Sequence, residues 1–426
     1  MSIINSARNH FSKEEPHSLV SLKHTCNILS HDNVFVDEVL DCFSIKSDEQ
    51  TMINPIEVGN VKQLLADIAK LDQQTKKIDV IINLKDIYLE RVLENDHVLF
   101  HIYGITDPDL IRALQADHLT VESQYSARTD IMEYYQFSKF ASFLHTNNMD
   151  EYALTIWEDI RVRANMEKKC MARLIYHIGE DKYYIRAVVS ETGYKQYGVN
   201  FSALVTLLAV DKYVKDHQEQ AFIESYSIDD SHIMMSIQFN RKIQLEDDMF
   251  LTLNLALEND EIRQSSVKLN AEFRVVYKRD GKESGIILRP TSYQKDHGAF
   301  SDDMLTYSHG MNVKTAIDRI SDLPILIDKY ITLISKNAIA IKSIKNPKQV
   351  KDFIQQRIQL SRKEEFIGYK AAVVQKLVSI EVNSIFDLFE LLRSVEELFG
   401  DDIKSKSFWR QKLYDALINR GKEDIV

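Results

Sequence analysis

The run LTLNLALE, from Leu251 to Glu258, places leucine at every second position: Leu251, Leu253, Leu255 and Leu257. Successive side chains of an extended chain point to opposite faces, so this period of two predicts a half-buried antiparallel strand with Asn254 on its wet face. The same pattern recurs on either side. Ala221–Ile228, His232–Phe239, Ser266–Tyr277 and Gly285–Leu288 read as strands. Met171–Ile178 and Tyr183–Val189 read as a hairpin across Gly179-Glu180-Asp181 that opens the same sheet, and Asn200 is placed to cap a helix over Phe201–Val214. Residues 167–300 are therefore expected to form a central, mostly antiparallel α+β domain.

The flanks read differently. Residues 1–57 are polar and dotted with histidine, and are expected to be a partly ordered arm. Residues 58–166 predict a small α/β module: a helix over Val61–Asp72, a strand over Ile78–Leu84, a short helix through Tyr88 and Leu89, and a strand over Val98–Gly104. A helix then starts at Asp107-Pro108, and two more lie around Ile131–Leu144 and Glu151–Met166. From residue 301 to 426 strand signals vanish. Six helical stretches follow, the fifth opening on a capping-box pair, Ser384 and Asp387. The fold class expected for the whole is α+β: an N-terminal α/β module, a central antiparallel sheet with a helix, and a C-terminal helical domain.

Composition sets limits on chemistry. With 426 residues, 44% hydrophobic and 27% charged, the chain can bury a sizeable core. Only 12 glycines and 6 prolines leave little material for Gly-rich phosphate loops. Cys26, Cys42 and Cys170 show no pairing pattern, which predicts reduced thiols and a cytoplasmic protein. The most apolar long stretch, Leu323 to Ile341, is interrupted by Pro324, Asp328, Lys329 and Lys336, so no membrane span is expected. The formal net charge of −11 is uneven: from Met311 to the end there are 20 Lys+Arg against 16 Asp+Glu, leaving 33 against 48 in the remainder. An acidic body with one basic region is the charge pattern of a protein that meets a polyanion in one place only.

The block from Tyr183 to Leu288, which begins YYIRAVVSETGYKQYGVNFSALVTLL and carries the strand Phe273-Arg274-Val275-Val276-Tyr277, resembles a phage/plasmid-like protein family of unknown function. Members share a strand–Ser–Tyr–helix segment followed by Asn-rich and Arg-rich strands. Where they run into a Cys and an Asn-Gly turn, this chain has Asp280-Gly281 and no Cys. The resemblance implies a mobile-element context and carries no catalytic residues.

Several residue groups are chemically suggestive. His17, His24, Cys26 and His31 are zinc-ligand types, but their spacing matches no compact zinc framework, so a solvated arm is the better reading. His297 and His309 flank Asp302 and Asp303 in a loop suited to acid–base work, though Ser301 followed by two acids is also how a helix begins. Ser190 and Tyr194, with Arg186 before them, lack any nucleophile elbow, and turn chemistry explains them. Arg274 could face a phosphate or pair with Glu272 or another acid. No Walker loop, dinucleotide fingerprint or His-Glu-x-x-His is present, so no catalytic residue, metal or cofactor is expected.

The basic stretch from Ile344 is the strongest functional signal. Lys345, Lys348, Lys351, Arg357, Arg362 and Lys363 are candidate phosphate contacts, with Phe366 and Tyr369 able to stack bases. The expected function is a non-catalytic accessory protein of a phage or mobile element that binds DNA, single-stranded in preference to duplex. The alternatives are an assembly component using Phe386, Phe389, Leu392 and Phe399 as an apolar face, or a hydrolase using the His297–His309 loop.

Overall fold

Two sheets organise the molecule, and the LTLNLALE run lies at the centre of the larger. A computed structural model describes residues 4–5, 19–93, 97–164, 167–262, 267–279, 282–290, 304–361, 364–400 and 402–418, and its class is α+β. The larger sheet runs in the order Ile4–Asn5, Ala221–Ile228, His232–Glu246, Met249–Asp260, Val267–Arg279, Lys282–Leu288, with every neighbour antiparallel. Val58–Gly59 joins Ala221–Ile228 in parallel. Met304–Tyr307 pairs with Val267–Arg279, so one strand lies beyond residue 301, where none was expected. It is four residues long, too short for its period to show.

Leu251, Leu253, Leu255 and Leu257 all enter the main apolar core, as their period requires. The opposite face is not wet. Asn254 is 0% exposed, and its Nδ2 donates to Ser236 Oγ at 3.0 Å and to Glu224. Arg274 pairs with the same Glu224 rather than with Glu272. The Asn254 amide hydrogens and the Arg274 charge are matched across the sheet, by Ser236 on the neighbouring strand and by Glu224 farther across it.

The second sheet runs Thr75–Asn83, Lys169–His177, Lys182–Val189, Leu119–Ser123, Val98–Ile102, Ile87–Val92. The hairpin expected to open the central sheet therefore belongs here. Lys169–His177 pairs antiparallel with Thr75–Asn83, and Lys182–Val189 pairs parallel with Leu119–Ser123. The reason is its apolar face: Ala172, Leu174, Ile185 and Val188 pack with Phe100, Trp157 and Ile131 in a separate core formed with the helices Ala127–Glu133 and Asp150–Ala164. The segment through Tyr88 and Leu89 is a strand, Ile87–Val92, not a helix. Asp107 does cap the helix Pro108–Leu114, accepting from Leu110 N at 2.8 Å.

Residues 19–57 are not a loose arm. The helices Leu22–Leu29 and Val36–Cys42 bury Leu22, Cys26, Leu29, Val39 and Leu40 in the main core. Leu22–Leu29 lies on the helix Val199–His217, and Val36–Cys42 on Val313–Ser321; the side chains of Val199–His217 are buried almost all round, as happens when a helix is covered on every side. Asn200 lies inside its first turn, and Gly198 is its N-cap. Helix Leu323–Lys342 packs on His232–Glu246 and Met249–Asp260, and Ile385–Glu396 and Ile403–Leu417 pack on Lys282–Leu288. The Ser384–Asp387 capping box is present with both of its hydrogen bonds. Phe389, Leu392 and Phe399 are buried there, Phe389 stacking on Tyr277, so the proposed assembly face is already filled by the chain itself. Among the described residues no helix is long and apolar enough to cross a membrane.

Candidate functional site

The basic C-terminal residues do not act as one surface. Lys345 and Lys348 are exposed at the start of helix Pro347–Leu360, whose N-cap Asn346 accepts from Gln349 N. Lys351 is buried, and its Nζ donates to the carbonyl of Ile380 at 3.3 Å. A charge spent on a helix-end carbonyl is not offered to phosphate. Arg357 is exposed and lies over the Phe353 ring at 5.1 Å. Arg362 and Lys363 lie outside the described residues, and nothing is described of the Phe366 side chain. Tyr369 packs edge-on against Phe399.

Lysines missing from the sequence-based set extend the exposed pair. Lys329 and Lys336 are exposed on helix Leu323–Lys342, on the same side as Ile325, Thr332 and Ile339, and Lys342 is exposed at its C-terminal end. Lys329 and Lys336 were obscured because a seven-residue helical spacing, not closeness in sequence, brings them to one side.

A dense polar cluster lies where the two sheets meet. Two turns of the larger sheet, Asp229-Asp230-Ser231 and the one at Glu261, press against strands Lys169–His177 and Lys182–Val189 of the smaller. Glu261 is almost fully buried and faces Lys77 Nζ at 2.5 Å, Arg186 Nη1 at 3.2 Å and Arg173 Nη2 at 3.6 Å. It also accepts from Val199 N at 3.2 Å, at the positive end of the long helix. Gly198 makes that approach possible, since a Cβ there would stand 3.1 Å from Glu261 Oε1. Burial acts to raise the Glu261 pKa, but Lys77, Arg186 and Arg173 outweigh it and hold the carboxyl at about 2.

The remaining charges are matched. Asp79 takes Arg173 Nε at 3.2 Å and Gln196 Nε2. Asp230 accepts from Tyr125 at 2.8 Å and Ser231 at 2.7 Å. Burial opposes its ionisation, yet hydrogen bonds and Arg186 hold it well below the usual carboxylate range. Arg186 is 0% exposed, and its Nη1 also reaches the Asp230 carbonyl and Ser231 Oγ. His232 lies between Asp229, at 3.0 Å, and Asp260, at 3.6 Å. Burial acts to lower its pKa, but the two carboxylates raise it to about 10. Three cations (Lys77, Arg173, Arg186) thus meet three anions (Asp79, Asp230, Glu261) in a balanced ionic joint. A cavity of about 130 Å³ opens beside it, lined in part by Asp32, Lys77, Asp79, Arg173, Asn200 and Glu261.

The other sequence candidates are not assembled. His17, His297, Asp302 and Asp303 lie outside the described residues. His309 is buried and stacked on Tyr194 at 4.8 Å, with both ring nitrogens against carbonyl oxygens, of Lys195 at 3.2 Å and Asp260 at 2.9 Å. Burial lowers its pKa. Tyr194 donates to the Glu261 carbonyl. Ser190 is exposed, and Cys26 is a core thiol pushed up to about 11 by burial. Among the described residues one group has the types and proximity to hold a metal ion: His31, Asp32 and Asp72.

A signal for the joint was present in the chain. Arg173 and Arg186 sit inside otherwise apolar strands, in Ala172-Arg173-Leu174 and Ile185-Arg186-Ala187. A charge inside such a strand requires a buried counter-charge, but nothing in the sequence says which acid supplies it. No protein-family model, curated protein or solved structure matches the chain.

Proposed function

We propose that the protein is a non-catalytic nucleic-acid-binding protein whose contact surface is the exposed side of helix Leu323–Lys342 together with the first turn of Pro347–Leu360. One observation carries this reading. Between Leu323 and Val350 there are five lysines (Lys329, Lys336, Lys342, Lys345 and Lys348) against a single acid, Asp328, and all five are exposed in a chain of net charge −11. Helix Leu323–Lys342 has 20 residues, about 30 Å at roughly 1.5 Å per residue, a length that can follow several phosphates of a single strand. The resemblance to phage and plasmid proteins supplies the context of replication or recombination of a mobile element in a host cytoplasm. The acidic remainder restricts binding to this side.

The test is fluorescence anisotropy with a single-stranded oligonucleotide across a salt series. About 0.7 of a logarithmic unit of affinity is lost per phosphate neutralised for each logarithmic unit of salt, so five contacts give a slope near roughly −3.5. Reversing Lys336 and Lys348 to Glu flattens it. Absence of association with single-stranded or duplex nucleic acid at low salt refutes the reading.

A second reading, protein assembly, is favoured by a different surface. Phe143 is 57% and Tyr152 61% exposed, and Phe143 stacks on the partly exposed Phe140 at 6.2 Å. Aromatic groups left together in water mark interaction surfaces. Concentration-dependent sedimentation that Phe143→Ser abolishes would support it.

A further inference from the structure

We propose that His217 is a proton-operated control on the lysine-bearing side of helix Leu323–Lys342: by taking up a proton it offsets Asp328 and tightens the hold on nucleic acid as pH falls. The proposal rests on the nucleic-acid reading above and adds its regulation. Asp328 is the single acid between Leu323 and Val350. It lies three positions after Ile325 and four before Thr332, on the exposed side of the helix and next in sequence to Lys329. A carboxylate there repels the phosphates that the lysines attract. Two side chains from the C-terminal end of helix Val199–His217 reach it. The Tyr213 hydroxyl donates to Asp328 Oδ1 at 3.3 Å, and His217 Nε2 stands 3.7 Å from the same oxygen.

The partners of the ring decide the sign. His217 Nδ1 lies 3.0 Å from the Tyr213 carbonyl oxygen, one turn earlier, and a carbonyl can only accept, so Nδ1 carries the hydrogen. In the neutral ring Nε2 is then a lone pair turned toward a carboxylate. Protonation replaces that repulsion with an N–H facing Asp328. The ring is held for this role: it stacks on buried Tyr213 with centroids 4.1 Å apart and 21° between the planes. His217 also ends a 19-residue helix, where the terminal carbonyls favour a cation. Other charges nearby are engaged among themselves. Arg241, on strand His232–Glu246, lies 3.7 Å from Glu219, and on the helix Lys215 lies 2.7 Å from Asp211, with Asp216 exposed beside it. The His217 side chain is 40% and that of Asp328 57% exposed, so the proton is exchanged with solvent without unfolding. An imidazole changes charge between about pH 5 and 8, where Lys and Asp side chains ordinarily do not. In that range the surface passes from five cations against one acid to six.

Fluorescence anisotropy of the full chain with a single-stranded oligonucleotide, at pH 6 and pH 8 and one low salt concentration, tests the proposal. The wild type is expected to bind roughly two- to fivefold tighter at pH 6, the size of one exposed charge interaction. Because the chain has 13 histidines, the variants decide. His217→Gln is expected to lose most of that gain, and Asp328→Asn to bind more tightly than the wild type at pH 8. His118→Gln is the control: that histidine is also half-exposed and 3.4 Å from an aspartate, Asp117, but lies outside this surface, so the gain should persist. Nitrogen NMR of the His217 ring at pH 8 gives a readout independent of binding, with Nδ1–H expected. Binding whose pH ratio is the same in His217→Gln as in the wild type, or an Nε2–H ring at pH 8, overturns the switch and leaves the nucleic-acid reading standing. Absence of binding at both pH values overturns both.

Discussion

Arg186 Nη1 lies 3.2 Å from Glu261 Oε2, and the two residues belong to different sheets. Neither side chain is solvated, so each is the condition for burying the other. A buried pair of this kind adds little stability compared with an apolar contact, but breaking it is costly because a bare charge remains.

Glu261→Gln removes the one carboxylate shared by Lys77, Arg173 and Arg186. The expected loss is about 3–5 kcal/mol, measured by urea denaturation at pH 7. In the wild type the Glu261 pKa is depressed from 4.5 to about 2. Its contribution is therefore complete above pH 4.5 and is lost as the pH falls through about 2. Wild-type stability of the Glu261→Gln variant at pH 7 would mean that the joint is open to water.

His232 has the opposite sign. Its folded pKa is raised from 6.5 to about 10 by Asp229 and Asp260. The stabilisation is fully present below pH 6.5 and is lost as pH rises through 10. The Tm of the wild type should decline across that window, and His232→Gln should flatten the decline. Parallel profiles would show that the imidazolium contributes nothing.

Leu253→Ala should cost about 2–5 kcal/mol, since the side chain is fully enclosed in the main core. The strand also predicts an effect on its other face. Asn254→Ala should cost about 1–3 kcal/mol, because Glu224 and Ser236 lose a buried donor. Equilibrium denaturation of the two variants separates this from the expectation of a wet face, under which only the leucine matters.

Lys348 and Lys351 are three positions apart and should respond differently to charge reversal. Lys348→Glu should leave the unfolding midpoint unchanged, because the residue is exposed. Lys351→Glu should lose more than about 2 kcal/mol by placing an unpaired anion against the Ile380 carbonyl. Equal Tm values for the two would mean that Lys351 is solvated.

The parts of the fold legible in the sequence were those written in local periodicity. The strand through Leu253, the helix Pro347–Leu360 and the Ser384 capping box all follow from neighbouring residues. Partnership between strands was not legible. The hairpin Met171–Val189 alternates equally well for either sheet, and only the match of its apolar face to Trp157 and its neighbours assigns it. Lys351 looked like its basic neighbours because burial of a lysine depends on a carbonyl 29 residues away. The joint at Glu261 was hidden for the same reason: its cations come from positions 77, 173 and 186, brought together only by the tertiary fold.

The chain order of the two cores has a consequence for synthesis. Residues 75–189 contribute all six strands of the smaller sheet, whereas the main core joins residues 20–71 to residues from 197 onward. Asn60 Nδ2 bonds the Ile223 carbonyl across 163 residues. At about 5–20 residues per second, a ribosome takes roughly 8–30 s to make that intervening stretch. Leu22, Leu29, Leu64 and Ile68 therefore emerge long before the surface that covers them exists, while the inserted sheet can close on itself. Between those two moments, residues 20–71 carry apolar side chains whose partners in the main core have not yet been made.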